Sequence, residues 1–256
     1  MERRTFAGVA FLVAEEMERA GFLIAYTERT GGVSDAPFDA LNLGYATGDR
    51  PEHVRENRDR VVRALGISPF AIGKQAHGTS AVRVDEESAG TGFDGPPSPL
   101  GEADILTVSR PGIPVALLVA DCVPLALASP DEGLVVAVHA GWRGMAAGII
   151  DAALSAFDEP ERVLAAVGPS IGPCHYEVGE DVAHAVATGS PAGAVTERRD
   201  GGLFLDLPGT VSRVLRVAGV SSIERSDLCT ACERPRFFSH RRDARTGRQG
   251  MLAVRR

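Results

Sequence analysis

A chain of 256 residues with 44% hydrophobic and 24% charged residues has the composition of a compact globular protein and excludes the disordered and fibrous classes. Its formal net charge of −7 excludes a nucleic-acid binder that works through a broad basic surface, because phosphate contacts need clustered Lys and Arg. No segment reaches the roughly 18 uninterrupted apolar residues of a membrane span, so neither nucleic acid nor membrane is an expected partner. Glu15, Glu16 and Glu18 in the N-terminal stretch, without a small-residue cleavage site, speak against a signal peptide. The expected location is therefore cytoplasmic. Four cysteines, Cys122, Cys174, Cys229 and Cys232, are too few and scattered for a disulfide framework and read as reduced thiols. The even spread of apolar segments favours a single domain over 1–256, as a monomer or small homo-oligomer.

In chain order, FLIAYTE (22–28) reads as a strand and RTGGVSDAPFDALNLG (29–44) as a long turn-rich loop. Asp49 and Glu52 flank Arg50-Pro51 in capping-box spacing, and Val54, Val61, Val62 and Leu65 share one helical face up to Gly66. This predicts a helix over 51–65. A short strand begins around Thr79, and ESAGTGFDGPPSPLGE (87–102) reads as a mobile surface loop. Two Val- and Leu-rich runs then flank Ser129-Pro130-Asp131-Glu132, which predicts a hairpin. With 129–132 as its loop, Ala128 faces Gly133 and Cys122 faces His139, on one face of the sheet about 4.5–5.5 Å apart at Cα. Pro124 requires an edge or a bulge nearby, and a bulge would shift that register by one.

After Gly141-Trp142-Arg143-Gly144, a stripe of Met145, Ile149, Ile150, Ala153, Leu154 and Phe157 predicts a helix. RVLAAVG (162–168) reads as a strand, GPSIGPCHYEVGEDV (168–182) as a turn-rich entry to another helix, and Asp206 with Pro208 opens a helix that Gly219 closes. The chain ends in a strand-like MLAV (251–254), with no internal repeat. These elements predict an α+β (mixed α/β) layered fold.

Cys122 beside His139 suits either a Cys-His nucleophile pair or two ligands of a soft metal, and spacing alone does not choose. His77, in Gln75-Ala76-His77-Gly78, offers a third group; the N, S, N set would leave one tetrahedral position open, as catalytic zinc sites require. Taken singly, each residue has a plain structural reading, as a hydrogen-bonded loop histidine or a core cysteine. Arg143, in a glycine turn entering a helix, could hold an anion or simply stack on the only tryptophan. Arg234, Arg236, Arg241, Arg242, Arg245 and Arg248 form a basic run interleaved with Phe237, Phe238 and His240, suited to phosphate or to a solvated loop anchored by its phenylalanines. Cys229-Thr230-Ala231-Cys232 is a lone CxxC, a weak signal without a second pair. Asp121 and Glu177 are carboxylates that could serve as general acid or base.

KQAHG, the ADC of VADCVP, VHAGWRGMAAGI, GPSIGPCHYEVGEDV and CTACERPRFFSHRRDARTGRQG resemble, in the same order, the signature segments of the laccase-domain or multicopper polyphenol oxidase family. This family includes the bacterial group described as zinc-dependent purine nucleoside phosphorylases with adenosine deaminase activity. TERTGGVSDAPFDALNLG and GDRPEHVRENRDRVVRALGI match its N-terminal half. The resemblance implies two mixed sheets packed together and flanked by helices, with His77, Cys122 and His139 as the metal-binding and catalytic trio. It also implies zinc, with copper as the alternative, and phosphorolysis of adenosine, inosine, guanosine and methylthioadenosine to free base and ribose-1-phosphate. Asn42, Gln75, Asp121, Arg143, Glu177 and Arg242 are the candidates for binding nucleoside and phosphate. The chain departs from the family pattern at Ala76, where valine is common, at Ser170 and His175, where cysteine is frequent, at His240, where tyrosine is frequent, and at Ala244, where glycine is usual.

Deamination at C6 of adenine suits a metal-activated water, whereas phosphorolysis needs a held phosphate and a stabilised purine leaving group. Three alternatives stand beside this reading. Copper oxidation of phenols through several copper centres would need more than the six histidines of this chain. A metal-free Cys-His amide hydrolase would act on peptidoglycan precursors. A nucleoside-binding protein would keep the ligands and show no turnover.

Overall fold

The computed structural model describes residues 1–256 apart from Pro97. A five-stranded sheet runs in the order β1 (Glu2–Phe6), β2 (Val9–Val13), β3 (Phe22–Thr27), β14 (Gln249–Arg255) and β6 (Val115–Val119). Its strand pairs are antiparallel, and a parallel bridge from Ala71 to Val115 extends its edge. A six-stranded mixed sheet runs β13 (Ser222–Arg225), β9 (Leu164–Val167), β7 (Val123–Ser129), β8 (Leu134–Ala140), β5 (Ile105–Val108) and β4 (Ala81–Arg83). A small third sheet joins β10 (Glu177–Val178), β12 (Gly202–Leu205) and β11 (Thr196–Arg199).

The two large sheets stack face to face, and helices cover their outer faces. Along β7 the larger Val123, Leu125 and Leu127 join the helix-side core, while Ala126 and Ala128 point at the other sheet. This alternation follows from the period of two along a strand, with both faces buried. Helices α3 (Trp142–Ala146), α4 (Ile149–Leu154), α5 (Glu180–Gly189) and α6 (Leu207–Val217) supply that helix-side core. The inter-sheet core unites Phe22, Ile24, Tyr26, Leu117 and Met251 with Leu106, Val135, Ala137 and Ala166. The Tyr26 hydroxyl reaches across it to donate to the Ala166 carbonyl at 2.7 Å. Helix α1 (Glu15–Arg19) buries Met17 in the same layer, and α2 (Pro51–Leu65) covers the outer face of the five-stranded sheet through Val61 and Val62. The layered α+β expectation agrees with this arrangement. Among the described residues no helix is long and apolar enough to cross a membrane.

Helix α2 matches its predicted bounds, but its start differs from the expected capping box. Arg50 is the N-cap without a side-chain bond, and Pro51 at N1 has no N–H to satisfy. The Asp49 carboxylate instead accepts from the Ser34 hydroxyl at 2.6 Å and the Asn42 amide at 2.9 Å. Buried Asn57 and Arg58 turn the helix toward the turn-rich 29–44 loop. Asn57 bonds the carbonyls of Ala40 and Asn42, and Arg58 those of Leu43, Gly92 and Phe93. Those last contacts anchor the segment expected to be mobile: Phe93 is buried with its ring edge-on to Phe70, and Ser98 donates to the Ile72 carbonyl. Pro97 of that segment lies outside the described residues.

Two further expectations are corrected. The helix expected after the Gly-Trp-Arg-Gly turn divides into α3 and α4, because Gly148 takes a left-handed conformation at φ 79°. The hairpin pairs Ser129 with Leu134 and Pro124 with His139, not Cys122 with His139, because Ser129 extends the strand and the loop begins at Pro130. The shift is two residues, an even number, so Cys122 and His139 keep a common face. Pro124 sits one residue into β7, where a missing donor costs little.

Fully buried Glu28 follows β3 and ties the sheet to the C-terminal segment, accepting from Arg3 at 2.8 Å and Arg236 at 2.7 Å. Burial alone would raise its pKa, but the two guanidinium groups take it below the usual carboxylate range. Its contribution is therefore fully present at neutral pH and is lost as pH falls through the lowered folded-state value. Glu28→Gln is expected to cost about 2 kcal/mol at pH 7. Urea unfolding should show the gap from wild type closing in acid; a gap that persists unchanged to pH values where Glu28 is protonated in both the folded and the unfolded chain would count against the ion pair as its source.

Candidate functional site

In the six-stranded sheet, residues of β8 with odd numbers, such as Val135 and Ala137, face the other sheet. His139 follows the same parity near the end of the strand, so its ring lies on the side that faces the other sheet. Cys122 lies just before β7, after Asp121 at φ 94°, a left-handed turn that separates β6 in one sheet from β7 in the other. The Asp121 carboxylate holds that turn by accepting from the Thr230 hydroxyl at 2.6 Å and the Arg241 backbone N–H at 2.7 Å. A single break between strands thus delivers a thiol to the inter-sheet edge.

His77 arrives from a loop wrapped around one carboxylate. Asp104, fully buried just before β5, accepts the backbone N–H groups of Ala76 at 3.1 Å, His77 at 3.0 Å and Gly78 at 2.8 Å. These three donors form a nest that stabilises His77 at φ 63°, a conformation that a non-glycine residue seldom adopts. The same carboxylate meets His139 Nδ1 at 2.8 Å. An acceptor there places the proton on Nδ1 and leaves Nε2 as the lone-pair donor.

The ligand atoms of His77, Cys122 and His139 lie within 4.8 Å of one another, and the two imidazole rings stand 4.8 Å apart at 71°. Gly141 explains the start of the glycine turn: a Cβ there would meet Cys122 Sγ and His77 Cδ2, each at 3.1 Å. Gly144 lies likewise against the Gly78 carbonyl, 3.2 Å from where its Cβ would be. Burial works against charge at both Cys122 and His139, yet their mutual attraction wins. The thiol is lowered to about 6, and the imidazole, also held by Asp104, is raised to about 9. The Asp104 carboxyl likewise falls below its ordinary range despite burial, through its bonds with His139 and Gly78. One soft and two borderline donors fit a zinc or copper ion, whose binding would displace the Nε2 proton of His139.

The trio opens into a cavity of about 610 Å³ lined by Tyr45, Gln75, Trp142, Arg143, Tyr176, His240, Arg241 and Arg248, among others. Gln75 is oriented by reciprocal bonds with the Leu118 backbone, both 2.8 Å. Arg143 stacks on Trp142 at 4.5 Å, so the plain structural contact and a place on the cavity wall coexist. Asn42, Glu177 and Arg242 are not among the residues of this wall. Asn42 is buried and knits the loop, bonding Gly44, Thr47, Asp49 and Arg248. Arg242 is spent on the carbonyls of Thr230, Ala231 and Phe237 and on Asp243. Glu177 is exposed in β10, and its carbonyl accepts from Arg241. A second cleft, of about 720 Å³, between Arg29, Asp39, Arg234 and Asp243 has its charges of both signs mixed and holds no Cys or His.

Sequence reasoning missed Asp104. Its one signal is a carboxylate at the head of the apolar run ILTV, and nothing nearby in sequence marks its four donors. Tyr45, between Gly44 and Gly48, and Tyr176, between His175 and Glu177, were missed as well, since a tyrosine in such a turn reads equally as a packing residue.

A family model described as multi-copper polyphenol oxidoreductase laccase matches residues 23–256. Among curated relatives, the purine nucleoside phosphorylase YfiH of Escherichia coli K12 is 36% identical over 93% of this chain and 95% of its own length. The purine nucleoside phosphorylase of Xylella fastidiosa is 40% identical over 94% and 95% respectively. Among solved structures, YlmD from Geobacillus stearothermophilus superposes with a TM-score of 0.92 at 33% identity, covering 99% of this chain and 98% of that one. The chain belongs to the multi-copper polyphenol oxidoreductase laccase family.

Proposed function

We propose that this chain is a single-domain, zinc-dependent purine nucleoside phosphorylase that also deaminates adenosine, with His77, Cys122 and His139 holding the metal. One observation carries the reading: the N, S, N donor set and Arg143, Arg241 and Arg248 open into the same cavity of about 610 Å³. That volume lies within the usual range for small-ligand pockets. The names of the relatives support the nucleoside and phosphate as substrates.

Zinc at this trio would supply Lewis acidity and make water a competent nucleophile at neutral pH. The chain's own residues account for the rest. Asp104 fixes the Nδ1 proton of His139 and so aims Nε2 at the metal position. Arg143, Arg241 and Arg248 provide the positive wall for phosphate. Arg248 is the most telling of these, because burial lowers its pKa while the anionic Cys122 and Asp121 partly restore it. Tyr45, Trp142 and Tyr176 offer aromatic surface for a purine. In phosphorolysis a phosphate oxygen bonds to C1′ as the bond from C1′ to N9 breaks, and the purine leaves with the electron pair and takes up a proton. In deamination water adds at C6 and ammonia departs, so phosphate plays no part.

Metal-defined protein incubated with adenosine is expected to yield adenine and ribose-1-phosphate only with phosphate, and inosine with or without it. Cys122→Ala should abolish both reactions and the metal at this site; full activity in that variant would sink the assignment, and no turnover by wild type would favour a binding protein. Phenol oxidation by the copper-loaded protein, or phosphate-independent amide hydrolysis by metal-free protein, would favour the alternatives.

Arg143→Ala is expected to raise the KM for phosphate by about 10- to 100-fold, the equivalent of one charge-assisted hydrogen bond. Inosine formation in the same variant should be spared. Equal loss of both activities would remove Arg143 from phosphate binding and leave it a packing partner of Trp142.

Asp104→Asn keeps the shape but exchanges an acceptor for a donor. Zinc affinity at the trio is expected to fall about 10- to 100-fold, measured by competition with a chromophoric chelator on folded protein. Unchanged affinity would show that the carboxylate shapes the loop without tuning His139.

A further inference from the structure

The CxxC that looked weak in the sequence acquires partners in the fold. β9 and β13 are adjacent parallel strands, with Leu164 beside Ser222 and Val167 beside Arg225. Adjacent parallel strands deliver their following loops to the same end of a sheet. The loop after β9 carries Cys174 and His175, and the loop after β13 carries Cys229 and Cys232. A parallel bridge between Ser170 and Cys229 and the bond from Thr230 N–H to the Ser170 carbonyl at 3.0 Å register the two loops.

The result is a cluster of three sulfurs and one imidazole nitrogen whose ligand atoms lie within 4.8 Å of one another. Cys174 and Cys232 sulfurs are 3.5 Å apart, and His175 Nδ1 lies 3.3 Å from each of them and 4.0 Å from Cys229. A tetrahedron with zinc–sulfur bonds near 2.3 Å and a zinc–nitrogen bond near 2.05 Å has edges of roughly 3.5–3.8 Å. The observed spacings straddle those edges. Cys229 Sγ also accepts the Gly172 N–H at 3.2 Å, the kind of backbone bond that stabilises a thiolate. Gly172 permits the approach: a Cβ there would lie 3.3 Å from the Cys229 Cβ and 3.4 Å from Cys174 Sγ. Cysteine is ordinarily among the most buried residue types, yet Cys174 and Cys232 are exposed. Two exposed thiols beside a histidine and a third thiol have no packing role to explain them.

We propose that Cys174, His175, Cys229 and Cys232 form a second, structural zinc site, separate from the His77–Cys122–His139 centre. Four protein ligands close the coordination shell, so this site offers no open position and no catalysis. Its role is to staple the cavity wall. Ile171 and Tyr176 flank one pair of ligands and line the cavity. Thr230 lies inside the CxxC and donates to Asp121, the residue that sets the turn before Cys122. Arg241 stacks over Tyr176 at 5.1 Å and reaches the Glu177 carbonyl. The staple would thus fix the elements that present Cys122 and the arginine wall.

The test is the zinc content of the intact chain, purified without chelating resin and read by elemental analysis. Wild type is expected to carry two zinc ions per chain, Cys122→Ala and Cys229→Ser one each, and the double variant none. Because Cys229 is buried, Cys232→Ser at an exposed position serves as a second probe and should also lose one ion. One zinc in wild type that persists in Cys229→Ser and Cys232→Ser would overturn the proposal. In native protein Cys174 and Cys232 should resist alkylation until a strong chelator is added; immediate labelling, or a Cys174–Cys232 disulfide in protein handled without reductant, would also overturn it. The zinc retained by Cys122→Ala is independent of whether the first centre is catalytic, so the two readings fail separately.

Discussion

One buried carboxylate organises the candidate centre. Asp104 accepts three successive backbone N–H groups from 76–78 and the Nδ1 of His139, and it is fully buried. A carboxylate removed from water at this depth is tolerable only when every lone pair is satisfied. The loop donors and the histidine supply that compensation, and in return the carboxylate dictates their geometry. The left-handed backbone of His77 follows from the nest, and the free Nε2 of His139 follows from the fourth bond. Two histidines on different elements are thereby fixed by one buried carboxylate.

The place of the centre follows from how the two large sheets share their faces. The six-stranded sheet keeps its bulkier residues for the helices and turns mostly alanine and valine toward the other sheet, so the sheets pack closely along the middle of the sandwich. At Gly168 the approach leaves no room for a side chain, since a Cβ there would lie 2.2 Å from the Tyr26 ring. At the start of β7 and the end of β8 the chain changes sheets, β6 of one sheet crossing to β7 of the other through Asp121 and Cys122. The cavity lies at that crossing, lined by Leu118 to Cys122 and His139. Gly141 then lets the third segment close over the thiol and the imidazole.

Much of this was legible in the sequence, for reasons that differ from residue to residue. Helix α2 could be bounded because Pro51 and Gly66 punctuate a strong apolar stripe. The Cys122–His139 neighbourhood could be reached because side chains alternate along strands, and a register error of two residues leaves that alternation intact. A slip of one would have put the thiol on the helix side. The break at Gly148 was hidden because the apolar spacing continues through it, and only the backbone angle reveals the interruption. Asp104 was hidden for a deeper reason: its partners are backbone N–H groups, which carry no sequence signature. The pairing of the CxxC with Cys174 and His175 was illegible because it rests on the parallel adjacency of β9 and β13, a long-range fact of topology.

The C-terminal arginines show how a single charge run divides its labour in three dimensions. Arg236 neutralises buried Glu28, and Arg242 is consumed by three backbone carbonyls and Asp243. Arg241 and Arg248 also use some donors on carbonyls, but their charge is opposed only at a distance, and they line the cavity with Arg143 from another element. A guanidinium with five donors and a few neutral acceptors retains both hydrogen-bonding capacity and an unneutralised charge. Arg143 and Arg241 are exposed, so water meets that capacity, whereas Arg248 is half-buried and faces the charges of Cys122 and Asp121 only at a distance. The folded chain therefore separates the arginines that hold the scaffold from those that face the cavity, a distinction that neither the spacing nor the composition of the run contains.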